Sequence, residues 1–185
     1  MKELPTVTTP RLVLRGMNLS DRAYLFEMLS DPATAWWADL PVMEAVGEAT
    51  CMILWGNRDR FIDQYGICEK GSGRLIGFIQ VKHPGFTGRP GVSELGYVLH
   101  KDFRGKGYMT EAVRAICGMV FFVEDIHEIT LEILPDNPRS LGVARKAGFV
   151  LESEPDEERD TRYLDGQLLD KYVLTRERFT EPKAA

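Results

Sequence analysis

The chain has 185 residues, 28 acidic and 23 basic, for a formal net charge of -5, with 44% hydrophobic and 28% charged residues. That length suits one domain able to bury a core, the composition is globular rather than disordered or collagenous, and the acidic balance argues against a nucleic-acid-binding surface. The excess is local: Glu152 to Asp160 (ESEPDEERD) holds six acids and one arginine, and the rest of the chain carries 22 of each sign.

Arg11 to Arg15 alternates polar and apolar residues and predicts an opening strand; Asn18 to Leu29 carries apolar residues at helical spacing, with Asn18 or Ser20 as its cap. After the Asp31-Pro32 break, Trp36-Trp37 and Val42 to Trp55 are expected to be helical. The tryptophans suit either an aromatic core or a pocket wall, and core is favoured. Three strand-like runs follow, Phe61 to Glu69, Leu75 to Lys82 and Val92 to Leu99, separated by Gly71-Ser72-Gly73 and by the segment Pro84 to Gly91, which predicts an antiparallel meander. Then the rhythm changes. Met109, Ala112, Val113, Ile116 and Val120 mark one helix face, Glu128 to Leu134 a strand, Asn137 to Ala147 a second helix, and Phe149 onward and Lys171 to Leu174 two further strands. The expected fold is α/β (α+β): one mixed, mostly antiparallel sheet with helices on its faces.

The longest apolar run, Ile116 to Val123, is far shorter than the roughly 20 residues that cross a bilayer. The opening MKELPTVTTP has no apolar stretch after its lysine, so no secretory signal is read there and the cytoplasm is the expected location. Cys51, Cys68 and Cys117 form no C-x-x-C pair and read as reduced thiols, mostly buried; His83, His100 and His127 share no ligand spacing, so no metal is expected.

Chemistry concentrates in Lys101 to Glu111 (KDFRGKGYMTE), between a predicted strand and a predicted helix. Gly105 and Gly107 permit a tight turn, and the first amides of a helix lack internal partners, so they can face an anion. Lys101, Arg104 and Lys106 add positive charge there, which makes a diphosphate the expected ligand. Gly105-Lys106-Gly107 lacks the Gly-Lys-Ser/Thr ending of a Walker A loop, and Thr110 stands where a dinucleotide fingerprint needs its third glycine.

A second segment, Asn137 to Phe149 (NPRSLGVARKAGF), combines with the first. Together they resemble the acetyl-CoA-dependent N-acetyltransferases of the GNAT superfamily. There an Arg/Gln-x-x-Gly-x-Gly/Ala turn, matched by Arg104, Gly107 and Met109, precedes an Asn-x-x-Ser/Ala helix ending in Gly-Phe, matched by Asn137, Ser140, Gly148 and Phe149. Thr9 to Arg15, Glu94 to Tyr97 and Gly107 to Ala112 are similar to the ribosomal-protein N-terminal acetyltransferase branch (RimJ/RimL type). The likeness extends from Arg11 to about Leu174 and implies one N-acetyltransferase domain over residues 1–185, with its core at about 9–176. Two departures stand out: Met109 replaces the last small residue of the turn, and Ala144 stands where many members have a tyrosine that protonates the departing thiolate.

The resemblance implies that acetyl-CoA is the cosubstrate and a primary amine, either a peptide N-terminus or a small molecule, the acceptor. It implies a cofactor site formed by Tyr97, Val98, Leu99, Arg104, Gly105, Lys106, Gly107, Tyr108, Met109, Thr110, Asn137 and Ser140, with backbone amides around Tyr97 to Leu99 on the pantetheine arm. Glu94 is the implied proton acceptor, and alternation places it with Gly96 and Val98; a solvent-facing or salt-bridged strand residue is the competing reading. Ser140 is the candidate acid for the thiolate, or else a hydroxyl of the helix cap. Asn137-Pro138 and Gly148 also read as helix punctuation. The resemblance implies that the acidic stretch Glu152 to Asp160 borders the acceptor entrance; it suits either a rim that favours cationic acceptors or a solvated hairpin loop, and the loop is favoured. A CoA-binding module without catalysis is the competing function. Neither a nucleic acid nor a membrane is an expected partner, and the chain is expected to be a monomer or homodimer.

Overall fold

A computed structural model describes residues 3–56, 58–59, 61–123, 125–152, 163–164 and 166–179. The chain opens with β1 (Val7–Thr8) and β2 (Leu12–Gly16). A 3-10 turn at Leu19–Asp21, opened by a capping box of Asn18 and Asp21, leads into α1 (Arg22–Leu29). Helices α2 (Pro32–Trp37) and α3 (Val46–Gly56) follow. The meander is β3 (Ile62–Glu69), β4 (Leu75–Lys82), a short helix α4 (Pro84–Thr87) and β5 (Val92–Leu99). Then come α5 (Tyr108–Val123), β6 (Glu128–Ile133), α6 (Pro138–Ala147), β7 (Val150–Leu151), the small hairpin β8 (Tyr163–Leu164) and β9 (Gln167–Leu168), and β10 (Asp170–Thr175).

Eight strands form one sheet in the order β1-β2-β3-β4-β5-β6-β10-β7, antiparallel throughout except for the parallel pair β5 and β6. This is the mixed, mostly antiparallel sheet that the sequence predicts. The two rows of side chains that alternate along each strand serve two cores. Ile79, Val81 and Leu95 pack with Val113, Ile116 and Val120 of α5 and Ala144 of α6. On the other face, Phe78 and Val98 pack with Leu25 and Leu29 of α1 and Ala49 and Ile53 of α3.

The expected helix from Val42 begins only at Val46, and α4 lies in a segment read from its glycines and prolines as turns. Pro84 occupies the first turn of α4, and Gly88 ends it at φ 68.

One registration feature shapes the site. The parallel β5–β6 ladder runs from Val92–Glu128 to Glu94–Thr130 and stops, while β5 continues to Leu99 and β6 to Ile133 on their outer partners. From Leu95 onward the two strands therefore diverge in the middle of the sheet. Gly77, opposite Leu99, permits close approach of β4 to this stretch: a Cβ there would lie 2.4 Å from the Val98 carbonyl oxygen. Gly77→Ala is expected to destabilise the protein by about 1–3 kcal/mol through overpacking. The corresponding fall in Tm is about 2–12 °C, readable by thermal unfolding.

Candidate active site

The divergence of β5 and β6 opens the sheet to two clefts. The larger, about 550 Å³, is lined by Tyr97, Val98 and Leu99 on β5, by Arg104, Gly105 and Gly107 to Thr110 at the entry to α5, and by Asn137 to Ser140, Gly142, Val143 and Lys146 on α6. The smaller, about 250 Å³, is lined by Gln80, Lys82, Glu94, Gly96 and Glu132, among others. Trp37, Ala38, Tyr97, Val98, Asn137 and Ser140 line both, so the clefts meet at the divergence.

Backbone geometry forms much of the larger cleft. His100 N–H bonds to Ile76 O at 2.8 Å, which fixes the alternation along β5. Antiparallel strands alternate between residues that bond to their neighbour and residues that do not, so the amides of Tyr97 and Leu99 face away from β4, toward the gap. Leu99 O there accepts Arg104 Nε at 3.1 Å. At the entry to α5, Gly105 and Gly107 take φ of 76 and 80, a conformation that favours glycine. The first i→i−4 bond of α5 is Glu111 N–H to Gly107 O at 3.1 Å, leaving the N–H groups of Tyr108, Met109 and Thr110 ahead of it without helical acceptors. Met109 is buried in the core on the α5 face, so its bulk is directed away from the turn.

The cations are arranged differently from the sequence expectation. Arg104 lines the cleft, held by Leu99 O and by Thr34 Oγ1 at 2.8 Å. Lys101 instead lies 3.8 Å from Asp31, and Lys106 donates to Asp102 O at 3.0 Å; of the described residues lining the cleft, neither is one. Among the described residues, the other cations lining it are Arg139 and Lys146, on a stripe of α6 with Gly142 and Val143, which the sequence reading missed. Their i, i+3, i+4, i+7 spacing, shared with the Asn137–Ser140 end of the helix, was the available signal. Burial, and then the neighbouring Arg139, hold the Arg104 guanidinium below its ordinary pKa, and an anion between the two arginines would offset their mutual repulsion.

Asn137 caps α6, its side chain accepting Ser140 N–H at 3.1 Å. That bond uses the backbone of Ser140 rather than its hydroxyl. Pro138 occupies the first turn and Gly148, at φ 100, ends the helix. Ala144 is fully buried in the core. The Tyr97 hydroxyl donates to Ser140 O at 3.4 Å, and burial pushes this phenol well above its usual pKa. The Tyr108 hydroxyl is engaged elsewhere, donating to Glu69 Oε1 at 2.7 Å.

Glu94 is buried and bonded to Lys82 Nζ at 2.5 Å, directly across the β4–β5 ladder. It is thus salt-bridged and also lines the smaller cleft, on one face with Gly96 and Val98. Trp37 lines both clefts, which suits the pocket-wall reading, whereas Trp36 is 41% exposed and is not among the described residues lining either cleft, so it belongs neither to the core nor to the wall. Trp37 reaches the wall because α2 is a short helix beside the gap, with Trp37 in its last position. Cys68 and Cys117 are buried, with thiols pushed up by burial, and no cysteine is among the described residues lining either cleft. Of the acidic stretch, Glu152 pairs with Lys171 at 3.2 Å; residues 153–160, including Glu157, Glu158 and Asp160, lie outside the described residues.

The Acetyltransferase (GNAT) domain family matches residues 11–150. The uncharacterized N-acetyltransferase p20 of Bacillus licheniformis is 28% identical over 182 residues, covering 93% of this chain and 96% of that protein. Among solved structures, spermidine N-acetyltransferase from Vibrio cholerae in complex with CoA and spermine aligns with a TM-score of 0.75 at 16% identity, over 92% of this chain and 99% of its own. RimL, a ribosomal L7/L12 alpha-N-protein acetyltransferase in complex with coenzyme A, aligns with a TM-score of 0.76 at 20% identity, over 92% and 98%. At those identities the structural likeness is one of fold; the family match spans β2, both motif segments and the divergence between them. The chain belongs to the GNAT acetyltransferase family and is an acyltransferase.

Proposed function

We propose that the protein transfers an acetyl group from acetyl-CoA to a primary amine, on a peptide N-terminus or a small molecule, by direct attack within a ternary complex. The observation that carries this reading is the meeting of the two clefts where β5 and β6 part. A donor in one cleft and an amine in the other would meet at Tyr97, Val98, Asn137 and Ser140, which line both. Holding two reactants in register in this way supplies much of a bimolecular rate enhancement.

The residues of the larger cleft suit acetyl-CoA. Left-handed glycines at 105 and 107, amides ahead of the first helical bond, and Arg104 and Arg139 suit a diphosphate; the gap-facing amides of Tyr97 and Leu99 suit an amide-bearing arm. When bound, the cosubstrate supplies the acetyl thioester. Around it, the chain's own groups take defined roles in this reading. The β5 amides hold the arm and polarise the thioester carbonyl. Glu94 accepts the amine proton, directly or through water, and Ser140 Oγ donates at the sulfur. No cysteine acts.

The likeness to spermidine and ribosomal-protein acetyltransferases supports an amine acceptor in general. A thiol-release assay with acetyl-CoA, run across N-terminal peptides, polyamines and other small amines with a mass-shift readout, tests the proposal. Amine-dependent CoA release with a matching acetyl adduct on one acceptor class is expected. Absence of amine-dependent release throughout would overturn it.

A further inference from the structure

The residues preceding β2 are clamped onto the turn at the entry to α5. Glu111, in the first turn of α5, accepts Thr9 Oγ1 at 2.6 Å and Arg11 N–H at 3.0 Å on one carboxylate oxygen, and Arg11 Nε at 2.6 Å on the other. Burial alone would raise the pKa of this carboxyl, but the bonds from Thr9 and Arg11 hold it below its usual range. The Arg11 guanidinium stacks over the Tyr108 ring, 4.5 Å from its centroid, and donates from Nη1 to Lys106 O at 2.9 Å. Tyr108 is tied in turn to Glu69 on β3.

The contact with Lys106 O has a geometric consequence. No peptide bond in the described chain is cis, and across a trans peptide the C=O of one residue and the N–H of the next point in opposite directions. With the Lys106 carbonyl drawn onto Arg11, the Gly107 N–H points away from Arg11. Gly107 lines the larger cleft, whereas Arg11 is not among its described lining residues. A turn with glycines on both sides of Lys106 has much conformational freedom to lose, and fixing its central peptide beforehand lowers the cost of binding. The same guanidinium neutralises Glu111, whose charge at a helix N-terminus would otherwise oppose an incoming anion.

We propose that Arg11 is a positioning residue for the cofactor's diphosphate. By holding the Lys106 carbonyl on the outer side of the turn, it presets the Gly107 amide toward the cleft. This rests on the reading of the larger cleft as the acetyl-CoA site, and it places the benefit in cofactor binding, because Arg11 touches no reacting atom.

Titration calorimetry of the intact protein with CoA, paired with initial rates, separates the two ideas. The wild type is expected to bind CoA. Arg11→Met is expected to weaken CoA binding by about 10–100-fold and raise the KM for acetyl-CoA by a similar factor, with kcat at saturating acetyl-CoA within about threefold of wild type. Arg11→Lys, which keeps the positive charge but loses the planar fork, should fall between. Thr9→Val, which removes the hydroxyl bond to Glu111 together with the Leu12 N–H bond to Thr9 Oγ1 at 2.9 Å but leaves the guanidinium in place, should show a smaller loss in the same direction. If the wild type does not bind CoA, the reading of the cleft fails and the proposal with it. If the wild type binds and Arg11→Met binds CoA equally well, or loses kcat without losing affinity, the proposal is overturned and the reading stands. Should Arg11→Met fail to fold, unchanged CoA binding in both Arg11→Lys and Thr9→Val overturns it.

Discussion

Replacing Glu94 with glutamine is expected to lower kcat for amine acetylation by about 10²–10⁴-fold, with CoA affinity held within about twofold. The amide has nearly the same shape but cannot accept a proton, and Glu94 lines the smaller cleft rather than the larger one. The substitution also strips the negative charge from the partner of Lys82, which is 19% exposed and is left with at most a neutral amide oxygen where it had a carboxylate at 2.5 Å. Breaking a pair so sheltered costs up to about 3–5 kcal/mol, because an unpaired charge is left behind. Loss of stability could therefore mimic loss of catalysis. The double substitution Lys82→Met and Glu94→Gln distinguishes them: it removes both charges, so it should recover much of the Tm lost by the single variant while kcat stays low. Recovery of kcat along with Tm would make Glu94 a structural residue.

Ser140→Ala is expected to lower kcat by about 10²-fold or more, again with little change in stability. The helix cap survives this change, because Asn137 bonds to the Ser140 N–H and not to its hydroxyl. The Tyr97 carbonyl-directed bond survives too, since its acceptor is the Ser140 backbone oxygen. What disappears is an O–H where both clefts meet. With Ala144 sealed in the core, that position of α6 offers no side-chain donor, which leaves Ser140 the better placed of the two. The effect should be larger for acetyl-CoA than for a thioester whose leaving thiol is more acidic, because a better leaving group needs less help from a proton donor. Equal losses with both donors would assign Ser140 to positioning instead.

Much of this was legible in the sequence. Local rules apply where the chain's neighbours are its own: Asn137-Pro138 and Gly148 punctuate α6 as read, and strand-like runs bounded by turn-forming segments give β3, β4 and β5 nearly at their observed bounds. The side-chain directions in the turn were not legible in the same way. Three cations adjacent in sequence suggested one shared ligand, yet positive φ at Gly105 and Gly107 reverses the chain around Lys106 and directs it outward, while Arg139 and Lys146 reach the cleft from another element. The gap-facing amides of Tyr97 and Leu99 depend on which residues of β4 pair with β5, and no pattern within β5 specifies that. Thr9 and Arg11 were noted as part of a family likeness; their contact with Glu111 spans a hundred residues of sequence and emerges only when β2 and α5 pack side by side. Trp37 is similar. Its hydrophobicity favours the core, but its place at the end of a short helix beside the gap makes it a wall of both clefts.

The central claim is that donor and acceptor meet directly through the opening between β5 and β6. Initial rates of CoA release, measured over a grid of acetyl-CoA and amine concentrations with an active acceptor, test it most directly. Direct transfer requires both substrates bound together, so double-reciprocal lines should intersect and no acetylated enzyme should be detected by mass when amine is withheld. Parallel lines, with an acetyl group retained on the protein before amine is added, would contradict it.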